Sequence, residues 1–131
     1  MKTSQTTQLQ AWGITLLRLV AGILFLGAGA QNLFLQGFSQ PSGSIVVAIS
    51  LVEFVCGAAL LIGLLTRWVS IPLALLMLAD ILVNHPPRGF FVGDAGFEHA
   101  LLRLAASAAL ALAGPGKVAL DNILAIRRGP K

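Results

Sequence analysis

Long apolar runs alternate with short polar breaks along the chain, and the runs are close to bilayer length. The first spans 12–34, from Trp12 to Phe34. A turn-rich polar segment follows, Gln36-Gly37-Phe38-Ser39-Gln40-Pro41-Ser42-Gly43-Ser44. The second spans 45–65, with Thr66 and Arg67 reading as a very tight turn. The third spans 68–84 and carries Pro72 near its first turn, where a missing amide hydrogen does least harm. His85-Pro86-Pro87-Arg88-Gly89 stops it. The fourth spans 98–113 and ends at Gly114-Pro115-Gly116. About 20 apolar residues cross the hydrocarbon as a helix. The last two runs are shorter and depend on flanking residues or a thin bilayer. The pattern predicts an all-α membrane protein, a single domain over 1–131 built as an antiparallel bundle of four transmembrane helices.

Beyond Gly116 the segment Lys117–Arg128 is mildly amphipathic. Val118, Ile123 and Ile126 suit a short C-terminal interfacial helix whose basic residues meet anionic headgroups; a solvated tail is the alternative. Composition agrees with membrane burial. Of 131 residues, 56% are hydrophobic and 11% charged, where a soluble domain is about a quarter charged. The single cysteine, Cys56, excludes a disulfide within the chain, a CxxC pair and a thiolate-held iron–sulfur cluster. In an apolar span it reads as a packing residue.

The net charge of +4 is a matter of topology. With four spans both termini share one side, together with Lys2, Arg67, Lys117, Arg127, Arg128 and Lys131; the other side holds Arg88. The positive-inside rule places both termini in the cytoplasm, and Trp12 and Trp68 fall at the same interface. The basic residues therefore read as an orientation signal and not as a nucleic-acid surface. Ala28-Gly29-Ala30 resembles a signal-peptidase site, but Arg18 interrupts the preceding apolar run, so the first span reads as retained.

The ionisable residues inside the spans carry the candidate chemistry. Arg18, Glu53, Asp80 and Arg103 fall one to each span. An isolated charge at mid-bilayer costs roughly 2.5–3.5 kcal/mol even on the lenient insertion scale, so these side chains are expected to face inward and pair. Two positive and two negative groups allow a neutral network. Depth favours Asp80 with Arg103; Arg18 with Glu53 has to bridge a height gap of several Å, counted at about 1.5 Å per residue. Arg18, Gly22, Phe25, Gly29 and Asn32 form one stripe; Glu53, Cys56, Gly57 and Leu60 another; His99, Arg103 and Ser107 a third. Small residues on these faces let helices approach closely. Three readings stay open: the charges clamp the helices, line a pocket for a small polar or amphipathic ligand such as a quinone head group, or relay protons through Glu53 and Asp80. His85, Asp94, Glu98 and His99 sit near the outer surface, but adjacent Glu98 and His99 diverge by about 100° on a helix, so a polar rim is expected and no metal site.

Four stretches together resemble the DoxX family of small bacterial membrane proteins, over nearly the whole chain. They are Leu17-Arg18-Leu19-Val20-Ala21-Gly22-Ile23-Leu24-Phe25 with Gly29; Glu53 through Gly57 and Gly63 to Leu64-Leu65-Thr66-Arg67; Gly89-Phe90-Phe91 with Gly96-Phe97-Glu98; and Gly114-Pro115-Gly116-Lys117-Val118-Ala119-Leu120-Asp121. Asn32 stands where many members carry Lys, and Ala119 where many carry Ser. The resemblance implies a four-helix inner-membrane protein, multi-pass, of the kind that serves as a subunit of a quinone-reducing or other membrane oxidoreductase complex. It draws attention to Arg18, Glu53 and Glu98. The expectation for function is a redox-complex subunit that binds quinone or anchors a catalytic partner, with Arg18, Glu53, Asp80, Glu98, His99 and Arg103 as the candidate ligand residues. A homo-oligomeric carrier or exporter and a non-catalytic assembly or stress factor are the alternatives.

Overall fold

A computed structural model describes residues 2–36, 44–84 and 97–129. It is all-helical among these residues. Helix α1 spans Lys2–Gln31 and continues into a π-helical turn, Asn32–Gln36. Helix α2 spans Ser44–Ile62, α3 Thr66–Asn84, α4 Glu98–Ala113 and α5 Leu120–Arg127. Most of the polar segment after Gln36 and the segment after α3 with His85, Arg88, Phe90, Phe91 and Asp94, expected at the outer surface, lie outside the described residues.

Three stretches are long and apolar enough to cross a membrane: Thr3–Leu35, Ser44–Ile62 and Thr66–Val83. Helix α4 has 16 residues, a length of about 24 Å at 1.5 Å per residue. That falls short of a hydrocarbon core of about 30 Å. Helix α1 packs most extensively on α2, and α3 on α4; slimmer contacts of α1 with α4 and of α2 with α3 join the pairs. Ala21, Phe25, Leu60, Leu73, Met77 and Leu110 form the apolar core between them.

The turn between α2 and α3 corrects the sequence reading. Helix α2 stops at Ile62, three residues early, and Thr66 opens α3 instead of turning. Gly63 is the cause. At φ 73° it takes the left-handed conformation, its N–H donates to the Leu60 carbonyl at 3.1 Å, and Leu64 N–H donates to Ala59 at 2.9 Å. That pair of bonds is a Schellman stop, which a glycine adopts without a Cβ penalty.

Polar and apolar positions are inverted relative to a water-soluble fold. Leu16, Ile23, Leu75, Leu82 and Leu102 are exposed, while Thr15, Arg18, Ser50, Glu53, Thr66, Ser70 and Ser107 are buried. Four of these hydroxyls donate to the carbonyl one turn back in their own helix. They are Thr15 to Ala11 (2.9 Å), Ser50 to Val46 (2.8 Å), Ser70 to Thr66 (2.6 Å) and Ser107 to Arg103 (2.8 Å). A lipid-embedded chain has no water to satisfy such groups, and back-bonding meets the need locally.

Glycine sets the spacing of the α1–α2 pair. A Cβ at Gly29 would come within 2.5 Å of the Phe54 nitrogen and 2.8 Å of the Ser50 carbonyl oxygen, both backbone atoms that cannot step aside. A Cβ at Gly27, which is exposed, would meet nothing within 4 Å. Gly29→Leu is therefore expected to lower stability in detergent by about 1–3 kcal/mol through overpacking, and Gly27→Leu to stay within about 0.5 kcal/mol. Thermal unfolding of the two variants side by side checks the difference.

Candidate functional site: an intramembrane cavity and a tie at the other end

All four long helices contribute to a cavity of about 390 Å³. Asn32 at the end of α1, Ser50 and Glu53 on α2, Asp80 on α3 and Arg103 on α4 supply its polar wall. Val46, Ile49, Leu76, Met77 and Val83 supply most of the apolar one. Helical spacing accounts for this grouping. Val46, Ile49, Ser50 and Glu53 recur every three or four residues on α2, as do Leu76, Met77, Asp80 and Val83 on α3. The volume lies at the low end of small-molecule sites, which are mostly apolar with a few placed polar groups.

Glu53 is 4% exposed, and Arg103 and Asp80 are the charged groups within its electrostatic reach. The Arg103 guanidinium stands over the Phe25 ring, 5.9 Å from its centroid, a cation–π contact worth about 0.5–1 kcal/mol or more when desolvated. Among the described residues neither the Glu53 carboxyl group nor the Arg103 guanidinium forms a hydrogen bond or an ion pair. The cavity thus presents an ionisable acceptor and a fixed donor whose bonding capacity is unspent.

Arg18 lies elsewhere. Along α1 it is about 21 Å from Asn32 at 1.5 Å per residue. It is 3% exposed, its Nη1 donates to the Pro115 carbonyl at 2.6 Å, and its charged neighbour is Asp121. The expected Arg18–Glu53 pair is not made. The chain returns from α4 to offer Arg18 a backbone carbonyl, which a count of charges by depth does not include. The four charges within the long helices accordingly divide: Glu53, Asp80 and Arg103 gather at the cavity, and Arg18 serves the other end.

That end is tied together by the tail. The Asp121 carboxylate accepts the N–H of Leu65 at 2.6 Å and of Thr66 at 2.9 Å, capping α3 from outside its own sequence. The Asp121 N–H donates to the Gly63 carbonyl at 3.0 Å. Lys117 N–H donates to Thr15 Oγ1 at 2.8 Å, and Asn122 Nδ2 donates to the Gly116 and Lys117 carbonyls at 2.9 Å each. The Lys117 Nζ reaches Gln8 Oε1 at 2.6 Å and sits 5.1 Å from the Trp12 ring centroid.

Glu98 and His99 open α4, both exposed, and neither lines the cavity. Glu98 in the first turn suits the positive end of the helix dipole. Cys56 is half-buried against the core. Sequence reasoning overlooked Ser50, although it stands three residues before Glu53 on the same face. It also overlooked Asp121 as a cap; the tight α2–α3 turn, with its exposed amides, was the available signal.

The family model for DoxX matches residues 13–86. The chain belongs to the DoxX family. The DoxX match takes in the first three helices, and with them Arg18, Glu53 and Asp80. A relative of this DoxX chain, an uncharacterized membrane protein of Mycobacterium tuberculosis, is 30% identical across 85% of this chain and 80% of its own length. No solved structure matches. The match to a named membrane protein and the inverted polarity of the DoxX helices agree that this is a membrane protein.

Removing the cap while keeping the size of the residue tests the tie. Asp121→Asn keeps one acceptor oxygen but turns the second partner into a donor facing an N–H, and Asp121→Ala removes both acceptors. Both are expected to destabilise, Ala by about 1–2 kcal/mol or more and Asn by less, read as a lower unfolding temperature in detergent.

Proposed function

We propose that this DoxX protein is an integral membrane subunit of a redox complex, and that its cavity takes the head group of a quinone. The observation that carries the reading is the cavity itself: a compartment of about 390 Å³ with an apolar wall for the ring and Asn32, Ser50, Glu53, Asp80 and Arg103 to meet its oxygens. The Arg103 guanidinium and the Asn32 amide have N–H groups for a carbonyl oxygen. Phe25, already under Arg103, stiffens that side. The electrons are supplied or removed by a cofactor in a partner, since the chain brings an environment for a quinone and the quinone chemistry belongs to the carrier.

In this reading α4 completes a fourth crossing of the inner membrane with the help of its flanking residues, giving an antiparallel four-helix bundle. Arg67, Lys117, Arg127 and Arg128 belong to the end with Trp12 and Trp68, which supports both termini being cytoplasmic. Helix α5, with Ile123 and Ile126 exposed beside Arg127 and Arg128, lies in that interface.

The test is extraction from native membranes in mild detergent, followed by solvent extraction of the purified protein. Quinone is expected at close to one per chain, with a flavin- or haem-bearing partner in stoichiometric yield. Arg103→Met, which removes a donor to the quinone carbonyl, is expected to cut quinone occupancy at least tenfold while the protein stays folded. Wild-type protein free of quinone, from membranes whose quinone reduction is unchanged by deletion of the gene, would sink the reading.

A further inference from the structure

Granted the quinone reading, the cavity also discriminates between redox forms: we infer that it binds the hydroquinone more tightly than the quinone, with Glu53 accepting a hydroxyl hydrogen bond and Arg103 donating to the second oxygen. The inference rests on what the two unspent groups can do. An ionised Glu53 only accepts hydrogen bonds and Arg103 only donates them. Each lines the cavity and neither is satisfied within the described residues.

Ser50 extends the acceptor side. Its hydroxyl hydrogen is already given to the Val46 carbonyl at 2.8 Å, so its oxygen meets a ligand through lone pairs alone. The cavity face of α2 therefore offers acceptors at two positions one turn apart, Ser50 and Glu53. The donors come from other helices, Arg103 on α4 and Asn32 at the end of α1.

A quinone brings two carbonyl oxygens, both acceptors. It answers Arg103 and Asn32 but sets lone pairs against Glu53 and Ser50. A hydroquinone brings two hydroxyls, each able to donate and to accept. It satisfies the α2 face with one hydroxyl hydrogen and Arg103 with an oxygen of the other hydroxyl. A site built around a substrate hydroxyl discriminates strongly against the analogue that lacks it, because its own polar groups are then left unpaired.

Equilibrium dialysis of the purified full chain in detergent at pH 8, with decylubiquinone and separately with its anaerobically maintained hydroquinone, measures the preference. The hydroquinone is expected to bind at least tenfold more tightly. A redox titration of the bound couple should show the same preference as a midpoint raised by about 30 mV over the free couple, the value of a tenfold ratio for two electrons. Glu53→Gln replaces an acceptor by an amide that can donate to a carbonyl, so the ratio is expected to fall towards one, chiefly through tighter quinone binding. Arg103→Lys keeps a donor and is expected to keep the preference. Equal affinity of the wild-type protein for both forms, or a ratio undiminished in Glu53→Gln, overturns the inference and leaves the quinone reading standing. Failure of the wild-type protein to bind either form removes both. Should Glu53→Gln not fold, the wild-type titration decides alone: an unshifted midpoint overturns the preference.

Discussion

The carboxylate of Asp121 holds the two ends of a turn that would otherwise be unpaid for. Leu65 sits at φ 49°, a left-handed conformation that a branched side chain adopts at a cost of about 1–2 kcal/mol. Its N–H and that of Thr66 would also be orphans at the start of α3. Both donate to Asp121 instead, and the Asp121 amide returns a bond to the Gly63 carbonyl. Arg18 then fits beside Gly63, where a Cβ would lie 2.6 Å from its Nη1, and reaches the Pro115 carbonyl. One acidic side chain thus links α5, the α2–α3 turn and, through Arg18, α1. The four long helices are gathered at that end. The cavity lies toward the opposite end, where Asn32 and Val46 mark the α1–α2 junction and no such tie exists among the described residues.

Most buried hydroxyls of the scaffold are satisfied within their own helix. In hydrocarbon an unmet hydrogen-bonding group costs several kcal/mol, so a protein spends its polar residues sparingly. The buried hydroxyls of Thr15, Ser50, Ser70 and Ser107 are each answered within one helical turn, and Asn122 is answered twice by the Gly116 and Lys117 carbonyls. These residues have finished their bonding. Among the described residues the Glu53 carboxyl group and the Arg103 guanidinium make no hydrogen bond, and both stand on the wall of the same cavity. Arg18 Nε and Thr66 Oγ1, at the tie, are also buried without a hydrogen-bond partner among the described residues; what distinguishes Glu53 and Arg103 is that both face a cavity with room for a ligand.

Much of this was legible in the sequence, and the misses have definite causes. Three of the four apolar runs emerge as long apolar helices because length and hydropathy alone decide such segments. The small-residue faces were legible too: Gly29 and Gly57 stand where α1 and α2 backbones touch. The end of α2 was misplaced because Leu64 and Leu65 continue the apolar run, and hydropathy does not register the backbone turn that Gly63 makes possible. The Arg18 partner was missed for a related reason. Counting charges by depth finds carboxylates, but the group that Arg18 uses is a peptide carbonyl on a segment returning from the far side of α4. Ser50, by contrast, was within reach of simple periodicity, three residues from Glu53.

The family match and the cavity report on different parts of the molecule. Of the motif stretches that carry the DoxX resemblance, Leu17–Phe25, the Gly63–Arg67 turn and Gly114–Asp121 meet at the tie, around Arg18 and Asp121. Those residues hold the helices in register. Arg103, the donor of the cavity, lies beyond the matched residues 13–86, and Asp80 belongs to none of the quoted stretches. Glu53 alone is shared between motif and cavity. Membership fixes a scaffold, and the ligand has to be argued from the cavity wall.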